Sequence, residues 1–252
     1  MRTTLRVTLV WILAATLIGS ILTLAVAHAA PGHRPLSTLQ KATTPRVIAT
    51  IRVGNEPTGV DVNPLTNRVY VANTNDNTVS VINVHTNKVI ATITVDLGPD
   101  KVAVDQKANR VYVTNLFDNT VSVIDGKTNQ VVATVAGFSF VTGVAVDPQT
   151  DRYYVGNLET DTVSVLDTTT NQVVTTITVG THPVVIAVDT TTDRIYVSNF
   201  EGNTVSVIDG ATNQVVATVT VGSGPAFVAV DPRIERVYVT NENDATVSVI
   251  QD

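Results

Sequence analysis

One phrase recurs five times at a fixed interval. RVYVAN at Arg68, RVYVTN at Arg110, RYYVGN at Arg152, RIYVSN at Arg194 and RVYVTN at Arg236 set Tyr70, Tyr112, Tyr154, Tyr196 and Tyr238 42 residues apart. Thr78, Thr120, Thr162, Thr204 and Thr246 keep the same spacing, so no insertion or deletion disturbs the register. A period near 40 built from short strands marks a stack of supersecondary units, none of which can bury its own apolar surface alone.

Each unit reads as four strands. In the third, FVTGVAVD ends at Asp147, PQTD turns the chain into RYYVGN, LETD leads to TVSVLD, and TTTN leads to QVVTTITV. Val, Thr and Ile dominate and turn residues recur too often for helix. Alternation puts Val111 and Val113 on one face of a strand and Tyr112 on the other. A sheet apolar on both faces must lie between two others. The expected architecture is all-β, a five-bladed β-propeller of 42-residue, four-stranded blades over residues 46–252. The last unit stops at TVSVIQD without a fourth strand, while RVIATI at Arg46 matches KVIATI at Lys88 and QVVATV at Gln214. Residues 46–52 are therefore expected to complete the last blade and close the ring, removing its exposed sheet edges.

The tandem RVYVxN, NTVSVID and QVVATVxVG phrases resemble the YVTN-repeat β-propeller family over nearly all of residues 46–252. The resemblance implies a secreted, periplasmic or surface-layer protein. Members often have seven blades, against five units here.

The N-terminus agrees with export. Arg2 and Arg6 precede an apolar run over residues 7–27, and Ala27-His28-Ala29 offers a small-residue cleavage pattern, so residues 1–29 read as a signal peptide. The run approaches the length of a membrane span, which leaves an uncleaved signal anchor as the alternative and the only expected membrane contact. Residues 30–45, with three prolines, read as a linker. The chain has no cysteine, which excludes disulfides, thiolate metal sites and a thiol nucleophile. Setting aside Arg2 and Arg6 leaves 14 basic against 22 acidic residues, so no nucleic-acid partner is expected.

Candidate functional residues are those that break the repeat. Loops after the first and third strands of a unit are nearly uniform (DPQTDR, DTTTDR; DGKTN, DGATN), whereas those after the second strand and before the first are not (NLFDN, NLETD, NFEGN; GFSFVT, GTHPVV). All five phenylalanines, Phe117, Phe138, Phe140, Phe200 and Phe227, fall in or beside the irregular loops. Together with Glu159, His182 and Glu201 they outline a binding face for an extracytoplasmic protein, peptide or glycan, unless the rings instead plug the channel mouth. The alternative activity is a metal-assisted hydrolase or lyase of lactonase type, using His182 with Glu159 or Glu201. Asp105, Asp147, Asp189 and Asp231 end the inner strands in a ring that could hold a hard cation, although Asx before Pro is ordinary turn chemistry. The arginines that open each quoted phrase have an acidic or Asn neighbour and read as paired surface groups. No nucleophile elbow, Walker loop, HExxH or dinucleotide fingerprint is present, and no cofactor is implied.

Overall fold

Strand and turn alternate with almost no variation from Pro57 to Gln251 in the computed structural model, which describes residues 45–252. The first blade is β1 (Pro57–Asn63), β2 (Arg68–Asn73), β3 (Thr78–Asn83) and β4 (Lys88–Thr94), and the second β5 (Pro99–Asp105), β6 (Arg110–Asn115), β7 (Thr120–Asp125) and β8 (Gln130–Val135). The third is β9 (Val141–Asp147), β10 (Arg152–Asn157), β11 (Thr162–Asp167) and β12 (Val173–Thr178). The fourth is β13 (Pro183–Asp189), β14 (Arg194–Asn199), β15 (Thr204–Asp209) and β16 (Gln214–Thr220). The last holds three strands, β17 (Pro225–Asp231), β18 (Arg236–Asn241) and β19 (Thr246–Gln251). Every sheet is an antiparallel meander in sequence order, and β1, β5, β9, β13 and β17 pack side by side as the inner strands.

The repeating residues explain why the units stack. Tyr70, Val79 and Val81 of the first blade pack on Val104, Val111, Val113 and Ile124 of the second. The same Tyr-bearing face meets the same valine-bearing face at each later junction, and Tyr112 stacks on Tyr153 with ring centroids 4.2 Å apart. The invariant Asn works within its blade. Asn73 Nδ2 donates to Thr78 Oγ1 at 3.1 Å and to Ser80 Oγ at 2.9 Å, and Asn115, Asn157, Asn199 and Asn241 repeat both bonds. That polar clamp fastens the second strand to the third, where a buried amide needs partners.

The strand expected over 46–52 is not formed. Those residues pair with no strand, and β19 has no neighbour on its outer side among the described residues. The first and last sheets are left exposed rather than packed on each other. Val60, whose counterparts Val144 and Ile186 are buried, is 63% exposed. Val247 and Val249 are 57% and 56% exposed, whereas Val79 and Val81 are fully buried. The expected leader over 1–29, the apolar run over 7–27 and all but the last residue of the linker lie outside the described residues. Among those described, no helix is long and apolar enough to cross a membrane.

Candidate functional site

Two sets of loops form two opposite rims. On the irregular rim the loop after the second strand is tied by backbone bonds to the loop that enters the first strand of the same blade: Phe117 N to Leu97 O (3.2 Å), Leu158 N to Phe140 O (3.1 Å) and Phe200 N to His182 O (2.8 Å). Neighbouring blades are joined by a second repeating bond, in which Gly98, Val141, His182 and Gly224 donate backbone N–H to the side-chain oxygens of Asn77, Asn119, Asp161 and Asn203. The rim is thus one continuous hydrogen-bonded frame that holds its variable side chains in fixed places.

Almost every loop is four residues long and ends in the left-handed region, where Asn, Asp and Gly are the least strained residues. Gly98 and Gly224 fill that position before β5 and β17 with φ of 71° and 67°. Before β9 and β13 it is filled by Phe140 (φ 50°) and His182 (φ 56°). A bulky residue held there costs of order 1 kcal/mol and points from strain toward a role.

His182 and Glu201 are brought together, with Nδ1 3.0 Å from Oε1. That contact engages Nδ1 and leaves Nε2 directed away from its partner. Glu159 is exposed on the preceding blade, in the loop whose Asp161 anchors the His182 backbone. Phe117 is 66% exposed and lies over Gly98; Phe140 is exposed and Phe200 half-buried on the same rim.

Two phenylalanines depart from the expected binding face. Phe138 is only 9% exposed and packs with Tyr112, Val121, Val141 and Tyr153 in the core between the second and third blades. Val95, Val179 and Val221 send a valine side chain into the equivalent space, and the third blade has Gly137 there, so Phe138 fills the gap from the next position. Phe227 lies within β17, paired opposite Thr240, on the open face of the last sheet rather than in a rim loop.

A charge asymmetry escapes a blade-by-blade reading. The loops of the irregular rim, residues 53–56, 74–77, 95–98, 116–119 and their repeats, carry Glu56, Asp76, Asp96, Asp118, Glu159, Asp161, Glu201, Glu242 and Asp244 and contain no Lys or Arg. The opposite rim carries Lys107, Lys127 and Arg233 in its loops beside the arginines that open each second strand. Superposing the units by loop and summing sign by rim would have revealed this in the sequence.

On the opposite rim the carboxylates serve the turns. Asp105, Asp147, Asp189 and Asp231 accept backbone N–H bonds from Ala108, Gln149, Thr191 and Arg233, and no group of three or more metal-ligating side chains occurs among the described residues. Asp167 accepts from Thr169 N and Thr170 N, both 2.9 Å, and pairs with Arg152 at 2.8 Å. The Thr170 N–H leads the causes that hold its carboxyl below the usual range. Asp193 goes the other way: burial, then the charge of Asp147 across the junction, pushes its carboxyl up. The equivalent pair between the first two blades is neutral, with Asn63 Nδ2 donating to Asn109 Oδ1 at 2.9 Å.

Antiparallel four-stranded units stacked through their faces define a β-propeller architecture. The chain belongs to the lactonase, seven-bladed β-propeller family, whose model matches residues 49–251. Similar solved structures include hydrazine synthase of Kuenenia stuttgartiensis, with a TM-score of 0.69 and 20% identity over 78% of this chain and 59% of that one. The Swd1 β-propeller domain of Myceliophteria thermophila follows at 0.67 and 15% identity, covering 77% and 65% of the two chains. A functionally unknown protein from Desulfotomaculum acetoxidans gives 0.68 and 16%, covering 79% and 70%. The chain thus spans less than two thirds of the first two of these structures. None of the curated proteins matches it significantly.

Proposed function

We propose that this protein is an exported YVTN-type propeller whose irregular rim binds a cationic segment of an extracytoplasmic protein or peptide. The observation that carries the reading is the composition of that rim: carboxylates without Lys or Arg, interspersed with Phe117, Phe140 and Phe200 on a hydrogen-bonded frame. Carboxylates attract and steer a basic partner, and aromatic faces accept ammonium or guanidinium groups. Calorimetric titration of the chain with short Lys- and Arg-containing peptides, and with neutral oligosaccharides, tests it. Peptide binding that weakens steeply with added salt and several-fold on Phe117→Ala or Glu201→Gln is the expected result. Salt-independent binding of the oligosaccharides alone, indifferent to both substitutions, would overturn it.

A second reading, hydrolysis of a lactone, is favoured by the family match together with the His182–Glu201 pair. Glu201 would hold the ring so that Nε2 takes a proton from the attacking water as it adds to the ester carbonyl, then returns it to the lactone ring oxygen as the tetrahedral adduct collapses and the acyl C–O bond breaks. Turnover of lactones that disappears in His182→Gln would establish it, and equal turnover in that variant would remove it.

A further inference from the structure

The inner strands read PTGVDVN, PDKVAVD, VTGVAVD, PVVIAVD and PAFVAVD, and the second begins with two adjacent opposite charges. Asp100 stands where the sister units have Thr58, Thr142, Val184 and Ala226, and Lys101 where they have Gly59, Gly143, Val185 and Phe227. Lys101 is the one cation in any of these strands. Asp61, the other carboxylate short of a strand end, accepts the backbone N–H groups of Val62 (2.7 Å) and Val104 (2.8 Å) and so serves the fold. Asp100 holds an ammonium instead, with Lys101 Nζ 3.0 Å from Oδ2 and 3.2 Å from Oδ1.

The Asp100 side chain is 11% exposed and that of Lys101 34%. A carboxylate so buried is costly without a cation beside it. The backbone that carries it is fixed by other bonds. Thr58 Oγ1 donates to Asp100 O at 3.1 Å, Thr74 Oγ1 to Pro99 O at 2.8 Å, and Lys101 N to Thr114 Oγ1 at 3.1 Å. What remains free to move is the four-carbon stem of Lys101. Asp100 also follows closely on the rim loop 95–98, where the ring of Phe117 lies over Gly98.

We propose that the Asp100 carboxylate is the anchoring subsite of the irregular rim, taking a lysine ammonium or arginine guanidinium of the partner, and that Lys101 is its resident occupant, displaced on binding. The inference rests on the cation-binding reading of that rim and locates its charge recognition. A preorganised, nearly buried carboxylate close to an aromatic ring suits a desolvated cation. The tethered ammonium competes at high effective concentration. A free amine therefore fails to displace it, whereas a peptide that also contacts the rim succeeds, which makes the ion pair a device for specificity.

A double-mutant cycle in the full chain tests this, using calorimetric titration with the Lys-containing peptides and their Nε-acetylated forms. Lys101→Met should tighten binding of the unmodified peptides about tenfold, the scale of one charge-assisted hydrogen bond, and leave the acetylated forms unaffected. In an Asp100→Asn background the same change should give no gain. Urea unfolding checks that each variant is folded, and Lys101→Gln, which offers the carboxylate an uncharged donor, replaces Lys101→Met if the latter is not. An equal gain in both backgrounds would reflect net charge alone and overturn the proposal. Wild-type binding with unchanged affinity in Lys101→Met would also overturn it, leaving the rim reading intact and the pair a structural one. If neither wild type nor Lys101→Met binds any of the peptides, the rim reading falls and this subsite with it.

Discussion

The two rims of this protein use nearly the same loop: four residues, a left-handed last position and a side-chain bond across it. They differ in what the loops carry. On the uniform rim the side chains are consumed by the turns, as at Asp167 with Thr169 and Thr170, and Arg68, Arg152 and Arg194 have carboxylate or amide partners. On the irregular rim the frame is made by backbone groups, by one Asn or Asp per junction and by Asp76, Asp118 and Asp244, which accept backbone N–H bonds from Asn55, Leu97 and Ser223. The positions outside that frame, Phe117, Phe140 and Phe200 among them, are where the units differ.

That contrast can be broken most severely at Phe138, the irregular-rim residue that belongs to the core. Phe138→Ala should cost about 3–4 kcal/mol, since it opens a cavity beside Gly137, and urea unfolding measures it. On the uniform rim, Asp167→Ala should cost about 1 kcal/mol, solvent screening keeping the loss modest. Its folded carboxyl is depressed, so the contribution is present above the unfolded value near 4 and is lost as pH falls through the folded one. Unfolding midpoints of wild type and variant should therefore converge in acid. Asp193→Asn should do the reverse. A raised folded value means that stability is full below the unfolded carboxyl range and declines as pH rises, so the amide should gain up to about 1 kcal/mol at neutral pH and nothing near pH 3. The smallest effect on folding belongs to Phe117→Ala, within about 0.5 kcal/mol, with a several-fold loss of cationic-peptide affinity in the same titration. Equal stability losses at Phe117 and Phe138 would erase the distinction between rim and core.

Most of this was legible beforehand, for local reasons. The strand boundaries follow from the 42-residue register, because β-branched runs and Asn/Asp turns are short-range signals; β9 ends at Asp147 as read. His182 and Glu201 were singled out by breaking the repeat, and proximity in the fold joins them. Phe138 was misplaced because aromatic residues in a loop look alike in sequence. The clue was Gly137, standing where four sister units have Val53, Val95, Val179 and Val221. Phe227 was placed in or beside the loop that enters β17; pairing with Thr240 places it in the strand.

The sequence by itself determined the blade: its four strands, its turns, its clamp of Asn, Thr and Ser, and the faces it offers to its neighbours, since all of these depend on residues within one period. Only the tertiary structure decided whether the circle closes and which side chains share a rim. Closure depends on the angle between blades summed over four junctions, a quantity that no single unit encodes. The segment at 46–52 thus repeats a fourth strand in sequence and yet pairs with no strand.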